Sequence, residues 1–170
     1  MAKPSTFFIR KTEGIGNTNT FHETEIDLGA YVNALAKTVL IIRSVETTYS
    51  DATGRSNVVT ANLQAVAQFQ LTTQSQDDLI LPSDKSMISS GRISIVNMTG
   101  ANAVGGIVSE ALDHSPQMYA EGFLVGTDSI YLGGAASPGF FDDVHITVVL
   151  ECEVGTMSSE KAMALALSQQ

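Results

Sequence analysis

From residue 144 to residue 154 every second position is apolar. Val144, Ile146, Val148, Leu150, Cys152 and Val154 fall on one side, and His145, Thr147, Val149, Glu151 and Glu153 on the other. Successive side chains of a strand point to opposite faces, so this alternation describes a strand with one face in a core and one outside. A strand of that kind cannot stand alone. It needs partners on its edges and a second layer over its apolar face.

The rest of the chain supplies both. In residues 62–76, Leu63, Ala65, Ala67, Phe69 and Leu71 alternate with Gln64, Val66, Gln68, Gln70, Thr72, Gln74 and Gln76. In residues 20–28, His22, Thr24, Ile26 and Leu28 share one face, and Phe21, Glu23, Glu25 and Asp27 form a wet acidic one. Residues 38–50 are rich in β-branched side chains, which suit strands. Residues 91–98 read as a further strand. Residues 122–132 read as two short strands, or as one broken at 126–128. A short strand fits residues 6–10. Turn chemistry marks 14–19, 51–57 and 77–83, and 133–143 reads as a long loop. Residues 31–37 suggest one helical turn and 105–113 a short helix. Residues 158–168 form the one full helix, with Ser158 or Ser159 as cap, Glu160 in the first turn and Ala and Leu throughout. Strands and helices do not alternate regularly, which excludes a parallel α/β sheet. The expected fold is all-β, a single jelly-roll or Greek-key β-sandwich with a short C-terminal α-helix. Its expected parts are an N-terminal arm over 1–19, the sandwich over 20–157 and the helix over 158–170.

Charge is scarce for a domain of this kind. Of the 170 residues 16% are charged, against roughly 25% in an average soluble domain. The stretches 56–76, 93–109 and 129–141 carry no charged residue at all. Such surfaces suit packing against other subunits, because a buried charge is costly unless paired. The amide face of Gln64, Gln68 and Gln70 is therefore a candidate interface. So is the helix face of Met163 and Leu167, which is expected to pack on a neighbouring subunit or to cap the open end of its own sandwich. The net charge of −9 argues against sequence-specific nucleic-acid binding, which needs clustered Lys and Arg. The sole cysteine, Cys152, permits no internal disulfide and lies in the apolar register of its strand. The start MAKPSTFFIRKTEG has no apolar run of signal-peptide length, so synthesis in the cytoplasm without export is expected. No stretch approaches the length of a spanning helix.

Motifs for chemistry are missing. There is no GxxxxGK[ST], no GxGxxG and no GxSxG, and Gly14-Ile15-Gly16 leads into a strand rather than a helix. His22, His114 and His145 have no metal-ligand spacing. No catalytic residue, cofactor site or enzyme activity is expected. The adjacent pairs Asp77-Asp78 and Asp142-Asp143 lie beside turns and are the candidates for calcium, which takes six to eight oxygens; solvated turn residues look the same. Glu23, Glu25, Asp27, Glu151 and Glu153 read as strand faces. Tyr31, Tyr49, Tyr119 and Tyr131 are the residues available to line a sugar site.

The segments GFLVGTDSIYLGG and DVHITVVLECEVG, with the strand rhythm around them, resemble a small single jelly-roll major capsid protein of tailless icosahedral viruses of bacteria or archaea. The resemblance spans about residues 20–156 and is one of size, rhythm and composition. It implies a self-assembling coat subunit in a virion, homo-oligomeric contacts with other shell subunits, and contact with an internal viral membrane. Two other readings stay open at this point. One is a filament or surface-layer subunit joined by strand exchange through residues 1–19. The other is a carbohydrate- or ligand-binding module.

Overall fold

The computed structural model describes residues 5–33, 35–104, 106–107 and 117–169. Nine strands and one helix follow in order: β1 (Phe7–Gly16), β2 (His22–Asp27), β3 (Thr38–Ser50), β4 (Gln64–Thr72), β5 (Met87–Val96), β6 (Gly106–Ile107), β7 (Gln117–Val125), β8 (Ser129–Ala136), β9 (Val144–Thr156) and α1 (Ser159–Ser168). The pairing is nested. β1 pairs with β9, β2 with β8, β3 with β7 and β4 with β5, all antiparallel. The chain is thus one long hairpin that has rolled up on itself. β9 then also pairs with β3, and β8 with β4, which gives a four-stranded sheet β1-β9-β3-β7 facing a five-stranded sheet β2-β8-β4-β5-β6. Two layers that bury each other's apolar faces satisfy strands of one-sided hydrophobicity. The nested order over two sheets is that of a jelly roll.

The core follows the alternation. Val144, Ile146, Val148, Leu150 and Cys152 of β9 are wholly buried, facing Ala65, Ala67, Phe69 and Leu71 of β4 and Ile130 and Leu132 of β8 in one cluster. Full burial of each large aliphatic is worth roughly 1.5–3 kcal/mol. Tyr49 of β3 meets Phe69 of β4 edge to face, their ring centroids 6.4 Å apart. A register shift between Ile42 and Ser44 bends β3 where it passes β9 and β7.

Several local expectations change. The arm expected over 1–19 is in large part β1, paired residue by residue with β9 from Phe7–Cys152 to Gly16–Val144. Ile15 is wholly buried and Phe7 stacks on Tyr31 at 4.7 Å, so this strand belongs to the body and is held by its own chain. The single helical turn expected over 31–37 starts earlier and ends sooner: the N–H groups of Tyr31 and Val32 both donate to the Leu28 carbonyl, and Asn33 already bridges to Thr38. Of the helix expected over 105–113, Gly106 and Ile107 pair with Val96 and Ile95 as β6, and the rest lies outside the described residues. The loop expected from 133 begins only after Ala136. Gly133 and Gly134 look like loop residues but lie in β8, a central strand with neighbours packed over both faces. A Cβ on Gly133 would come 2.5 Å from the Phe21 ring, and one on Gly134 would overlap the Gln68 carbonyl. These glycines serve close approach rather than chain reversal.

The charge-poor stretches also find a partly internal use. Residues 56–76 contain β4 and 129–141 contain β8, two of the three strands flanked on both edges in the five-stranded sheet. A good share of the missing charge is thus accounted for within the sandwich.

Candidate assembly surfaces

The nested hairpin sorts the loops between two ends. Residues 17–21, 51–63, 97–104 and 137–143 gather at one end. Residues 28–33, 35–37, 73–86 and 126–128 gather at the other, together with α1.

The first end is cross-tied. Val59 bridges to Ala103 on one side and to Phe140 on the other. Asn97, only 1% exposed, donates its amide to the carbonyls of Val59 and Ala101 at 2.9 Å, and its carbonyl oxygen accepts from Thr99. Asn17 donates to the Phe140 carbonyl and the Phe141 N–H to the Val58 carbonyl. Asp51 closes the tip of its loop by accepting from the N–H groups of Thr53 and Arg55 and from the Thr53 hydroxyl, and these bonds hold its carboxyl below its ordinary pKa. On this fixed frame Leu63, Met98, Val104 and Phe141 are exposed.

The other end carries Leu35, Leu81, Met163 and Leu167 exposed. α1 starts with the Ser158 hydroxyl accepting from Lys161 N, as the sequence suggests. It lies against the sandwich through Ala162, with Leu165 and Ala166 beside it. A Cβ on Gly126 would sit 3.1 Å from Ala166 N and from Leu165 Cγ. Gln169 then locks the helix. Its amide donates to the Leu124 carbonyl at 2.7 Å and accepts from Gly126 N at 2.8 Å, while its main-chain oxygen accepts from the Thr73 hydroxyl and the Gln74 amide. The sequence leaves two placements open for the Met163 and Leu167 face, a neighbouring subunit or the end of its own sandwich, and within this chain the second is taken by Ala162 and Gln169 instead. Met163 and Leu167 point away from the body, 59% and 66% exposed. No periodicity or motif marks Gln169 in the sequence.

Of the amide face on β4, Gln64 and Gln68 are exposed, but Gln70 is 1% exposed and occupied by its own chain. Its Nε2 donates to the Asp78 carbonyl at 3.1 Å and its Oε1 accepts from Ile80 N at 2.9 Å. Gln70 is therefore no direct interface residue. It pins residues 78–80 over the outer face of the sheet, and a groove of about 540 Å³ opens there between β4, β5 and the Leu79-Ile80-Leu81-Pro82 segment, with Arg92 at its floor.

Asp77, Asp78, Asp142 and Asp143 are all exposed, and the first pair lies at one end of the sandwich and the second at the other. Asp78 Oδ1 accepts from Leu79 N, an ordinary turn closure. Among the described residues no three His, Cys, Asp or Glu side chains gather as a metal site. His22 on β2 and His145 on β9 stand on different sheets, and His114 lies outside the described residues. The strand carboxylates are likewise apart. Glu23 accepts from Ser75 and Gln76 N and Glu25 from Ser129 on one sheet, while Glu153 pairs with Arg43 at 3.0 Å and Glu151 accepts from Ser44 on the other. Tyr31 stacks on Phe7, while the Tyr49 and Tyr119 hydroxyls are taken up by the Gly91 and Ile88 carbonyls of β5. Among the described residues no helix is long and apolar enough to cross a membrane.

No family model and no curated protein sequence matches the chain. Solved structures do. VP1 of Merkel cell polyomavirus, as an unassembled pentamer, is similar at a TM-score of 0.48 and 7% identity over 92% of this chain and 98% of that one. VP1 of Trichodysplasia spinulosa-associated polyomavirus is similar at 0.47 and 10% over 91% and 97%. The acid-stable capsid of Helicobacter pylori bacteriophage KHP30 is similar at 0.36 and 10% over 92% and 96%. These are likenesses of shape. The jelly-roll assignment rests on the strand order itself.

Proposed function

We propose that this chain is a structural subunit that assembles with copies of itself into a closed shell, the coat of a virion, and that the virus is a tailless icosahedral one of bacteria or archaea. The observation that carries the reading is the distribution of exposed apolar side chains. Eight large ones stand on the end loops and on α1, which are fixed by hydrogen bonds, and Phe8, Met118 and Val154 stand on the four-stranded sheet. Exposed apolar groups held in place at opposite ends mark contact surfaces, and two different surfaces on one body let copies join in series. The size and strand rhythm of residues 20–156 support the same reading. The protein does its work by packing and not by chemistry on a substrate. Purified protein examined by mass photometry and negative-stain electron microscopy should show rings or closed particles of uniform size. Open fibres would point to the filament alternative, and a monomer at all concentrations would overturn the reading.

A further inference from the structure

We propose that the cavity beside Asn57 binds a compact, mostly apolar molecule carrying one hydrogen-bond-accepting oxygen, the class of a short ketone, aldehyde or ester. The cavity lies between the two sheets at the cross-tied end, and its volume is about 80 Å³. Tyr49 of β3 lines it from one sheet, and Ile93 and Ile95 of β5 from the other. Phe140 and Asn57, 2% and 4% exposed, form its inside. Ser56 and Val104 are exposed and form its rim.

The chemistry of the lining selects the ligand. Asn57 Nδ2 is enclosed and meets no acceptor among the described residues. A buried N–H without a partner is unfavourable, and an oxygen brought in by a ligand relieves it. The amide turns on a broad torsion, so its N–H can swing to an acceptor in the cavity. Water is a poor occupant. An internal water is held by about two to four polar groups. Here the Tyr49 hydroxyl already donates to the Gly91 carbonyl, and Ser56 stands at the rim. The other walls are aliphatic and aromatic. A dry apolar cavity of about 150 Å³ takes benzene, so this smaller one suits a molecule of roughly four or five non-hydrogen atoms.

The site is built before a ligand arrives. Phe140 is held by its bridge to Val59, and Val59 bridges on to Ala103, next to Val104. Asp51 fixes the loop that leads to Ser56 and Asn57 through its bonds to Thr53 and Arg55. A pocket set in advance costs a ligand little ordering. A molecule seated here touches both sheets at once and ties them together where the loops close the sandwich. Binding to the folded chain alone raises its stability. The site needs one copy only, so it does not rest on the shell reading.

Titration of isotope-labelled full-length protein with butanone tests this, read by NMR and by thermal melting. The Asn57 side-chain amide should shift in a saturable way, with a dissociation constant of about 1–10 mM. Resonances of Ile93, Ile95 and Phe140 should move with it, and the melting temperature should rise with ligand. Asn57→Leu keeps the volume and removes the donor, and should weaken binding about tenfold. Val104→Trp closes the exposed rim and should abolish binding while the melting temperature without ligand stays put. No saturable shift up to about 100 mM, a shift that maps elsewhere, or unchanged affinity in either variant overturns the proposal.

Discussion

Cys152 sits at the centre of β9 with no exposure, and burial beside Glu151 pushes its thiol up to about 12. A thiol that is neither ionised nor reachable is inert. Native protein should therefore react with a bulky thiol reagent only on the timescale of unfolding, and in denaturant at once. Cys152→Ser places a hydroxyl among Ile146, Val148 and Leu150 and should cost about 1–3 kcal/mol, measured by denaturant titration. Gln70 acts through a different property. Its amide answers one donor and one acceptor of the 78–80 backbone, so Gln70→Ala removes two bonds and frees the groove wall. The expected loss is about 1–3 kcal/mol. Hydrogen exchange should rise at Ile80 before the strands respond. No sequence signal separates Gln70 from Gln64 and Gln68. All three sit on the outward face of one strand, and only the loop that returns over position 70 makes it different.

At the scale of elements, α1 shows two faces with separate tasks. Ala162, Leu165, Ala166 and Gln169 hold it to the turn between β7 and β8, while Met163 and Leu167 face outward. Ten residues are too few for a helix that stands alone in water, so docking supports it. Removing residues 158–170 should lower the melting temperature of the monomer. Gly126→Val should do the same, since a side chain there meets the helix backbone at 3.1 Å. Met163→Gln with Leu167→Gln should leave the monomer within about 0.5 kcal/mol of the parent yet reduce assembly, and thermal melting beside light scattering separates the two effects. β1 makes the complementary point. Its alternation is weak, with Lys11 and Glu13 in the register of Phe7 and Ile9, because an edge strand near the rim needs less apolar surface than β9 at the centre. A weak pattern beside Gly14 and Gly16 reads as an arm, and only pairing with β9 shows it to be a strand.

Over the whole molecule, the two ends share a sensitivity to acid. Asp51 at one end and Asp84 at the other each close a turn by accepting from hydroxyl and backbone N–H groups, and those bonds hold both carboxyls below the ordinary aspartate pKa. A carboxyl with a depressed folded-state pKa adds stability above its unfolded value, and that contribution is lost as pH falls through the folded value. Hydrogen exchange at residues 53–55 and at Ser86 should therefore quicken relative to the sheets as pH drops below about 4, while the core cluster, which contains no carboxylate, holds. Equal loosening of core and turns over that range would contradict this assignment.

The class of this fold is legible in the amino-acid order alone, because two-residue alternation is a local property. β3 and β9 begin where their patterns begin, the break between β7 and β8 falls near Gly126, and the terminal helix is written in its cap and its alanines. The same local reading placed Cys152 in the core. Which outward-facing group meets solvent, and which meets the chain returning over it, is set by long-range packing. Gln70 is buried and Gln68 is not, Gly133 is strand and not loop, and Met163 is free while Gln169 is the lock. In each case the deciding partner is distant in the chain. Periodicity records the face a side chain takes, and carries nothing about what a nested hairpin will later lay across it.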